Sequence, residues 1–255
     1  MTSLSRMTIF LALAACGTDA ASGEPGVITG SIAHDTVWSG TLDLHGFVTI
    51  EPGVVVTVED GTTIRVASAA SIEVDGTLDV EGVQGNAVTI APANPGEYWL
   101  GVNVAGEYSM HYAKQTGGGI YTISPTAKLV ISDSELSNAI GDYIVANDGS
   151  VDIQYSNLGL ETGDHTHCNL HFNEAKNIVF THNNNVGVAY GLMLYGGSGD
   201  FTHNNWSGNA VDIEPNPGGT GHFDDSYFAR GVPGGVPGST FENPAGARLA
   251  DCGPR

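Results

Sequence analysis

The chain repeats one short pattern, an apolar anchor followed by a polar turn, at Phe180-Thr181-His182-Asn183 and again at Phe201-Thr202-His203-Asn204. Three further copies are Ile131-Ser132-Asp133-Ser134, Ile153-Gln154-Tyr155-Ser156 and Phe223-Asp224-Asp225-Ser226. The anchors recur with a nearly constant period, and only the step from Ile153 to Phe180 is clearly longer. A period of about 22 residues is typical of stacked coils that each bury an apolar face on the next coil.

The N-terminal half keeps the same period. Val56 and Val58 recur one period later as Leu78 and Val80, and polar residues alternate with them. Alternation with period two indicates strands that bury one face. The sequence therefore predicts an all-β fold, a single-stranded right-handed parallel β-helix over residues 31–228. A repeat of about 22 residues gives about eight or nine coils.

The polar turn residues support stacking because they hold the same place in successive coils. These residues are Ser134, Ser156, Asn183, Asn204 and Ser226. Stacked Ser and Asn side chains can hydrogen-bond along the solenoid axis and satisfy backbone groups that the corners would otherwise bury unpaired. An up-and-down barrel or a sandwich is the alternative fold, but neither explains a fixed period in both halves.

The N-terminal sequence predicts an export signal. Residues 1–15 contain a short apolar run that fits a signal peptide and is too short to span a bilayer. The run ends at Leu13-Ala14-Ala15-Cys16, which resembles the lipobox of bacterial lipoproteins. That resemblance implies a lipid on Cys16, a tether over residues 16–30 and, because Gly17 follows, an outer-membrane or cell-surface location. The alternative is an ordinary secretory signal cleaved near Ala20-Ala21-Ser22.

Charge limits the partners of the exported domain. The chain has 28 acidic and 8 basic residues and a formal net charge of −20. No basic patch is present to collect phosphates, so we expect no nucleic-acid partner. An acidic surface also repels polyanions such as pectin or alginate unless cations intervene.

Two cysteines follow Cys16, and the sequence leaves two alternatives for them. The exported compartment permits a disulfide between Cys168 and Cys252. However, the alternation in Cys168-Asn169-Leu170-His171-Phe172 points Cys168 inward, so a buried free thiol is an equal alternative. The Pro- and Gly-rich tail, residues 229–255, loses the period, and we expect it to lie against the end or the side of the solenoid.

One coil is longer than the others, and its extra residues fall within 159–167. Insertions in a solenoid become loops on one face, so His165 and His167 should border a binding surface. Residues 170–173 can be laid under 192–195 and then under 211–214, which predicts two exposed rows. The first row is His171, Met193 and Asp212, and the second is Asn173, Tyr195 and Glu214. An aromatic ring beside carboxylates and an amide suits the ring faces and hydroxyls of a sugar.

A bound metal is a second interpretation of the same region. His165 and His167 point the same way in extended chain, beside Asp164, and could hold zinc or copper. The spacing matches no established motif, so the metal state stays open. Gly196-Gly197-Ser198-Gly199-Asp200 resembles the calcium-binding nonapeptide repeats of β-rolls, but it occurs once and lacks a residue before the Asp.

Three short strands per coil and the regular coil-length period resemble the pectate-lyase-like superfamily. The resemblance covers most of the exported chain and implies architecture only. The Asp-Asp, Gly-His-Gly and Arg-Ile-Lys motifs of its hydrolases are missing as a set, and no basic cluster suits a lyase. In a hydrolase, Asp212 and Glu214 would be the acid and the base. The leading hypothesis is a non-catalytic glycan-binding module; the alternatives are a carbohydrate-active enzyme and a structural or adhesive envelope protein.

Overall fold

The computed structural model describes residues 26–214 and 218–255, which form 26 β-strands joined by turns. The predicted signal peptide, Cys16 and the start of the predicted tether lie outside the described residues. In chain order the strands are β1 (Val27–Ile32), β2 (Thr36–Trp38), β3 (Thr41–Ile50), β4 (Val55–Glu59), β5 (Thr63–Val66), β6 (Ser71–Val74), β7 (Thr77–Glu81), β8 (Val88–Pro92), β9 (Gly101–Val104), β10 (Glu107–His111), β11 (Ala113–Thr116), β12 (Ile120–Thr122), β13 (Lys128–Ser132), β14 (Glu135–Ser137), β15 (Asp142–Ala146), β16 (Ser150–Gln154), β17 (Asn157–Leu158), β18 (Cys168–Phe172), β19 (Lys176–Thr181), β20 (Asn184–Val186), β21 (Tyr190–Leu194), β22 (Ser198–Asp200), β23 (Asn205–Ser207), β24 (Val211–Glu214), β25 (Thr220–His222) and β26 (Tyr227–Phe228).

The strands stack in three parallel ladders, which are the three faces of a solenoid. Face 1 contains β1, the C-terminal half of β3, β6, β9, β12, β15, β18, β21 and β24. Face 2 contains β2, β4, β7, β10, β13, β16, β19, β22 and β25. Face 3 contains the N-terminal half of β3, β5, β8, β11, β14, β17, β20, β23 and β26. Each coil adds one strand to each face, so the prediction of an all-β parallel solenoid with about nine coils is confirmed.

The core fills the inside of the coils. Val56 pairs with Leu78 and Val58 with Val80, as the period predicts, and all four side chains are buried. In the C-terminal coils the core is aromatic: the rings of Phe201 and Phe223 stack at 4.9 Å. Burying one such side chain contributes roughly 1.5–3 kcal/mol, so the apolar anchors supply much of the stability.

The predicted ladder of Ser and Asn residues forms at the corner between faces 2 and 3. Its members, which we call the buried ladder, are Ser134, Ser156, Asn183, Asn204 and Ser226, and all are fully buried. Except at Ser226, the last member, each backbone N–H donates to the side-chain oxygen of the next coil, as Ser156 N does to Asn183 Oδ1 and Asn183 N to Asn204 Oδ1, both at 2.8 Å. These bonds satisfy groups that the strand ladders cannot reach at a corner.

The residue before each ladder member has a left-handed backbone. Tyr112, one coil earlier, has the same conformation. We call the whole series the corner row, and its φ values lie between 43° and 60°: Tyr112, Asp133, Tyr155, His182, His203 and Asp225. This conformation is uncommon for residues with a side chain, and here the ladder bond that follows holds it in place. It turns the row's side chains away from the core.

The tail runs back along this corner against the direction of coil stacking. Leu249 exchanges two hydrogen bonds with the Asn205 side chain, each 2.9 Å long. Gly253 N donates to His182 O at 2.8 Å. Arg255 donates to both carboxylate oxygens of buried Asp133, at 2.9 and 2.7 Å. The tail therefore lies on the side of the solenoid and covers the corner row.

The described strands of the solenoid run from residue 27 to residue 228. β1 starts at Val27, so the last residues of the expected tether belong to the first coil, while β26 ends at Phe228. Within residues 26–214 and 218–255, no helix has the length and apolar character needed to cross a membrane.

Candidate functional site

An exposed strip crosses face 1 on the four coils that contain β15, β18, β21 and β24. Residues in register on neighbouring strands make its first row: Val145 pairs with His171, His171 with Met193, and Met193 with Glu214. All four side chains are partly exposed. Neighbouring strands lie about 4.8 Å apart, so the row is continuous along the solenoid axis.

The second row of the strip holds Asn173 and Tyr195. Asn173 Nδ2 donates to Asn147 Oδ1 at 2.7 Å, which links two coils through amide side chains. Tyr195 is 39% exposed, and its ring lies 4.9 Å from that of His171. The strip therefore presents an aromatic ring, an imidazole and amides side by side.

Asp142 joins two histidines at the edge of the strip. Its Oδ1 lies 2.8 Å from His167 Nδ1, and its Oδ2 lies 2.5 Å from His171 Nδ1. Because a carboxylate can only accept, each Nδ1 carries the hydrogen, and in the neutral imidazole each Nε2 is then an acceptor. One carboxylate thus sets the orientation and tautomer of both rings.

Two local features bring these groups together. Asp142 begins β15 and pairs in register with Cys168, the first residue of β18. The long segment 159–167 ends just before that strand, and His167 N donates to Gly141 O at 2.6 Å. The insertion therefore positions His167 over the neighbouring coil.

Tyrosine rings flank both histidines. The ring centre of Tyr190 lies 5.0 Å from that of His167, and the Tyr195 ring lies beside the His171 ring. Tyr121 lies on the coil before Asp142; burial, and secondarily the charge of Asp142, raises its pKa. Aromatic rings with polar tips form rigid surfaces that can also hydrogen-bond.

Asp212 is not part of the strip, so its predicted place in the first row is wrong. The prediction aligned Leu192 with Val211, whereas β21 and β24 pair Leu192 with Ile213 and Met193 with Glu214. Glu214 therefore belongs to the first row and not to the second.

The surroundings of Asp212 also separate it from Glu214. Asp212 is only 6% exposed, and its Oδ1 accepts from Asn209 Nδ2 at 3.0 Å. Burial raises the pKa of its carboxyl group. Asp212 and Glu214 therefore do not share an exposed face as an acid–base pair would.

Asp164 does not join the histidines of the loop. Its carboxylate accepts from Thr166 N at 2.8 Å and from Asn138 N at 3.0 Å, which anchors the loop. His165 is exposed beside it. The partner of His167 is Asp142 on the previous coil, which the regular period does not predict. Aligning Asp142-Tyr143-Ile144 with Cys168-Asn169-Leu170 across the insertion would have found it.

Two other expectations meet different outcomes. Cys168 and Cys252 are free thiols, so the disulfide alternative is wrong, and Cys168 is the buried free thiol of the other alternative. The two sulfurs instead donate to separate carbonyl groups, Leu170 O and His203 O. In the segment 196–200, which resembles a calcium-binding repeat, Ser198–Asp200 form strand β22, where a Cβ on Gly199 would lie 2.8 Å from the Ile178 and Phe201 side chains. Gly199 is required there by core packing.

No protein-family model, curated protein or solved structure matches this chain. The fold defines a parallel β-solenoid, and the strip defines a polar, aromatic surface on one of its faces.

Proposed function

We propose that this protein is an exported, lipid-anchored β-solenoid that binds a polysaccharide or cell-surface glycan along the strip of face 1. The lipid anchor on Cys16 rests on the lipobox-like sequence before it, and an outer-membrane or cell-surface location follows from that same segment. The binding role rests on the arrangement around Asp142. A non-catalytic module is the leading form of the proposal.

The single observation that carries the binding role is the pair of tyrosine–histidine contacts bridged by Asp142. His167 with Tyr190 and His171 with Tyr195 each span two coils at about 5 Å. The strip therefore presents two partly exposed ring pairs whose imidazoles already have fixed orientations. Preorganised side chains lose less entropy on binding than mobile ones.

The chemistry of the strip suits an extended chain of sugars. Tyrosine faces can pack on the apolar faces of sugar rings, while Asn173, Glu214 and the histidines offer donors and acceptors to hydroxyl groups. A solenoid repeats such groups along its axis, which matches a repeating polymer. With a net charge of −20, a neutral glycan is favoured over a polyanion unless cations bridge the two.

Co-sedimentation of the purified protein with neutral and acidic polysaccharides, with calcium and with chelator, tests the proposal. Tyr195→Ala should weaken binding at least about tenfold, a loss near 1.4 kcal/mol. Tyr227→Ala is the matched control, because Tyr227 is a partly exposed tyrosine on face 3. Equal affinity of the two folded variants, or no binding to any polysaccharide in the panel, would overturn the proposal.

A carbohydrate-active enzyme is the second candidate, favoured by the carboxylate-bound imidazoles of His167 and His171. Each Nε2 can accept a proton from a substrate hydroxyl or a water molecule. Product release, assayed in the same tubes as binding, separates the two candidates. If neither binding nor product is detected, the third hypothesis, a structural or adhesive envelope protein, gains support, and loss of envelope integrity on deletion is its test.

The anchor has its own test. Cys16→Ser should abolish incorporation of labelled fatty acid and release the protein from the membrane fraction, while Cys252→Ser should change neither. Incorporation of the label in Cys16→Ser would contradict lipidation at this residue.

A further inference from the structure

A second cluster of histidines lies at the corner between faces 2 and 3, away from the strip. His182 and His203 hold equivalent places on adjacent coils, and their ring centres are 4.4 Å apart. Asp251 of the tail lies over them, with its carboxylate oxygens 3.1 and 3.0 Å from His203 Nε2. One ligand atom from each of the three residues lies within 4.8 Å of the other two.

An unpaired nitrogen is the second observation at this cluster. Within the described part of the chain, His182 Nδ1 is buried and has no hydrogen-bond partner. A buried polar atom without a partner has lost its hydrogen bond to water and gained none in return. The His182 ring also stacks on Tyr155, with 4.7 Å between the ring centres, so the imidazole is held in place. A bound ion is one kind of partner that satisfies such a buried nitrogen.

We propose that His182, His203 and Asp251 bind a divalent transition-metal ion, with zinc the best match. Two imidazole nitrogens and one carboxylate oxygen are a common ligand set for zinc, with water in the fourth position. Zinc–ligand distances are about 2.0–2.2 Å, so small side-chain rotations would bring the three ligand atoms onto one ion. The site is independent of polysaccharide binding on face 1.

The expected consequence is a metal clamp on the tail. His182 and His203 belong to two neighbouring coils, whereas Asp251 belongs to the tail. One ion would therefore cross-link three segments, and metal binding to the folded state alone stabilises it by mass action. Protection of the tail against hydrogen exchange should rise when zinc is added.

Calorimetric titration of the full chain with zinc chloride tests the site, using untagged protein freed of metal with a chelator. We expect one equivalent to bind, and Asp251→Asn and His203→Gln to weaken binding at least tenfold. Asp251 is 64% exposed at its side chain, so Asp251→Asn should fold even if His203→Gln does not. His222→Gln is the matched control, since His222 is an exposed histidine on the next coil, bonded to Thr240.

Asp142→Asn controls for the other imidazole–carboxylate group. If the zinc affinity falls in Asp142→Asn but not in Asp251→Asn, the metal belongs to face 1 and the proposal is wrong. The absence of zinc binding by the wild-type protein, or unchanged exchange of residues 249–253 on adding zinc, would also overturn it. A loss of zinc affinity confined to Asp251→Asn and His203→Gln would support the proposed site.

Discussion

The corner between faces 2 and 3 and the strip of face 1 carry the same kinds of side chain with the same coil-to-coil spacing. At the corner, Asn183 and Asn204 are fully buried, and the tail covers the row beside them. On face 1, Asn173 is partly exposed, and Tyr195 more so. Residue type and period therefore do not distinguish a structural ladder from a binding surface. Burial and the nature of the partner do, because a buried amide has to be paired inside the protein and an exposed one is free to pair with a ligand.

Removing one amide side chain from each region should give the largest difference in the free energy of unfolding. Asn183 Oδ1 accepts from Ser156 N, and Asn183 Nδ2 donates to Ile153 O at 2.9 Å. Asn183→Ala leaves both backbone groups buried and unpaired, which should lower the free energy of unfolding by about 3 kcal/mol. Asn173→Ala on face 1 should lower it by less than about 0.5 kcal/mol, because water replaces the lost bond.

Urea denaturation of both variants provides the measurement. The midpoint of Asn183→Ala should fall with little change in slope, and that of Asn173→Ala should stay near wild type. Similar losses of stability in the two variants would contradict the contrast between a structural corner and an exposed strip.

The tail can be loosened without touching the ladder. Gly253 has a φ of +95°, and a Cβ there would lie 2.5 Å from Asn184 Nδ2 and 2.8 Å from Asn157 Oδ1. Gly253→Ala should therefore weaken docking of the tail by about 1–2 kcal/mol. Gly246→Ala is its control, since a Cβ at Gly246 meets nothing within 4 Å.

Hydrogen exchange of residues 249–255 measures the docking. We expect faster exchange in Gly253→Ala alone, with the strands of face 1 unchanged. If exchange quickens in face 1 as well, the tail and the strip are coupled, and the two regions do not act separately.

Replacing Asp212 with Asn should have the smallest effect on stability, and that effect should depend on pH. Because burial raises the pKa of Asp212 above 3.8, the folded protein holds this proton more tightly than the unfolded chain does. The stability that the protonated group contributes is present below pH 3.8 and is lost as pH rises through the folded-state pKa. Asp212→Asn cannot ionise and keeps an acceptor for Asn209. It should be more stable than wild type at pH 7, by less than about 1 kcal/mol.

Thermal denaturation at several pH values measures this difference. The extra stability of Asp212→Asn over wild type should shrink as the pH approaches 3.8 and vanish below that pH. A gain that is independent of pH would contradict ionisation of a buried carboxylate as the cause.

The sequence period predicts those structural features that recur from one coil to the next. Anchors such as Ile153 and Phe180 meet the same need in successive coils, as does the ladder of Ser and Asn residues in the coils from Ser134 to Ser226, so their spacing is visible in the sequence. The alternation also placed Cys168 inside and His171, Met193 and Tyr195 on the outside.

The partners that the sequence missed are not periodic. Asp142 reaches His167 across the inserted loop, where the regular period fails. Asp251 reaches His203 from a tail that has no repeat. Asp212 was misplaced because β24 was aligned by its alternation alone, with Val211 in the place that Ile213 occupies beside Leu192. Contacts that depend on an insertion or on a docked segment require the folded chain.

The most direct test of the central claim is the NMR spectrum of the histidine side chains, recorded with and without the polysaccharide that co-sediments most strongly. Our account predicts that the resonances of His167 and His171 shift on binding while those of His182 and His203 stay in place. Shifts at His182 and His203 with none at His167 and His171 would place the ligand at the corner and contradict the assignment of the strip.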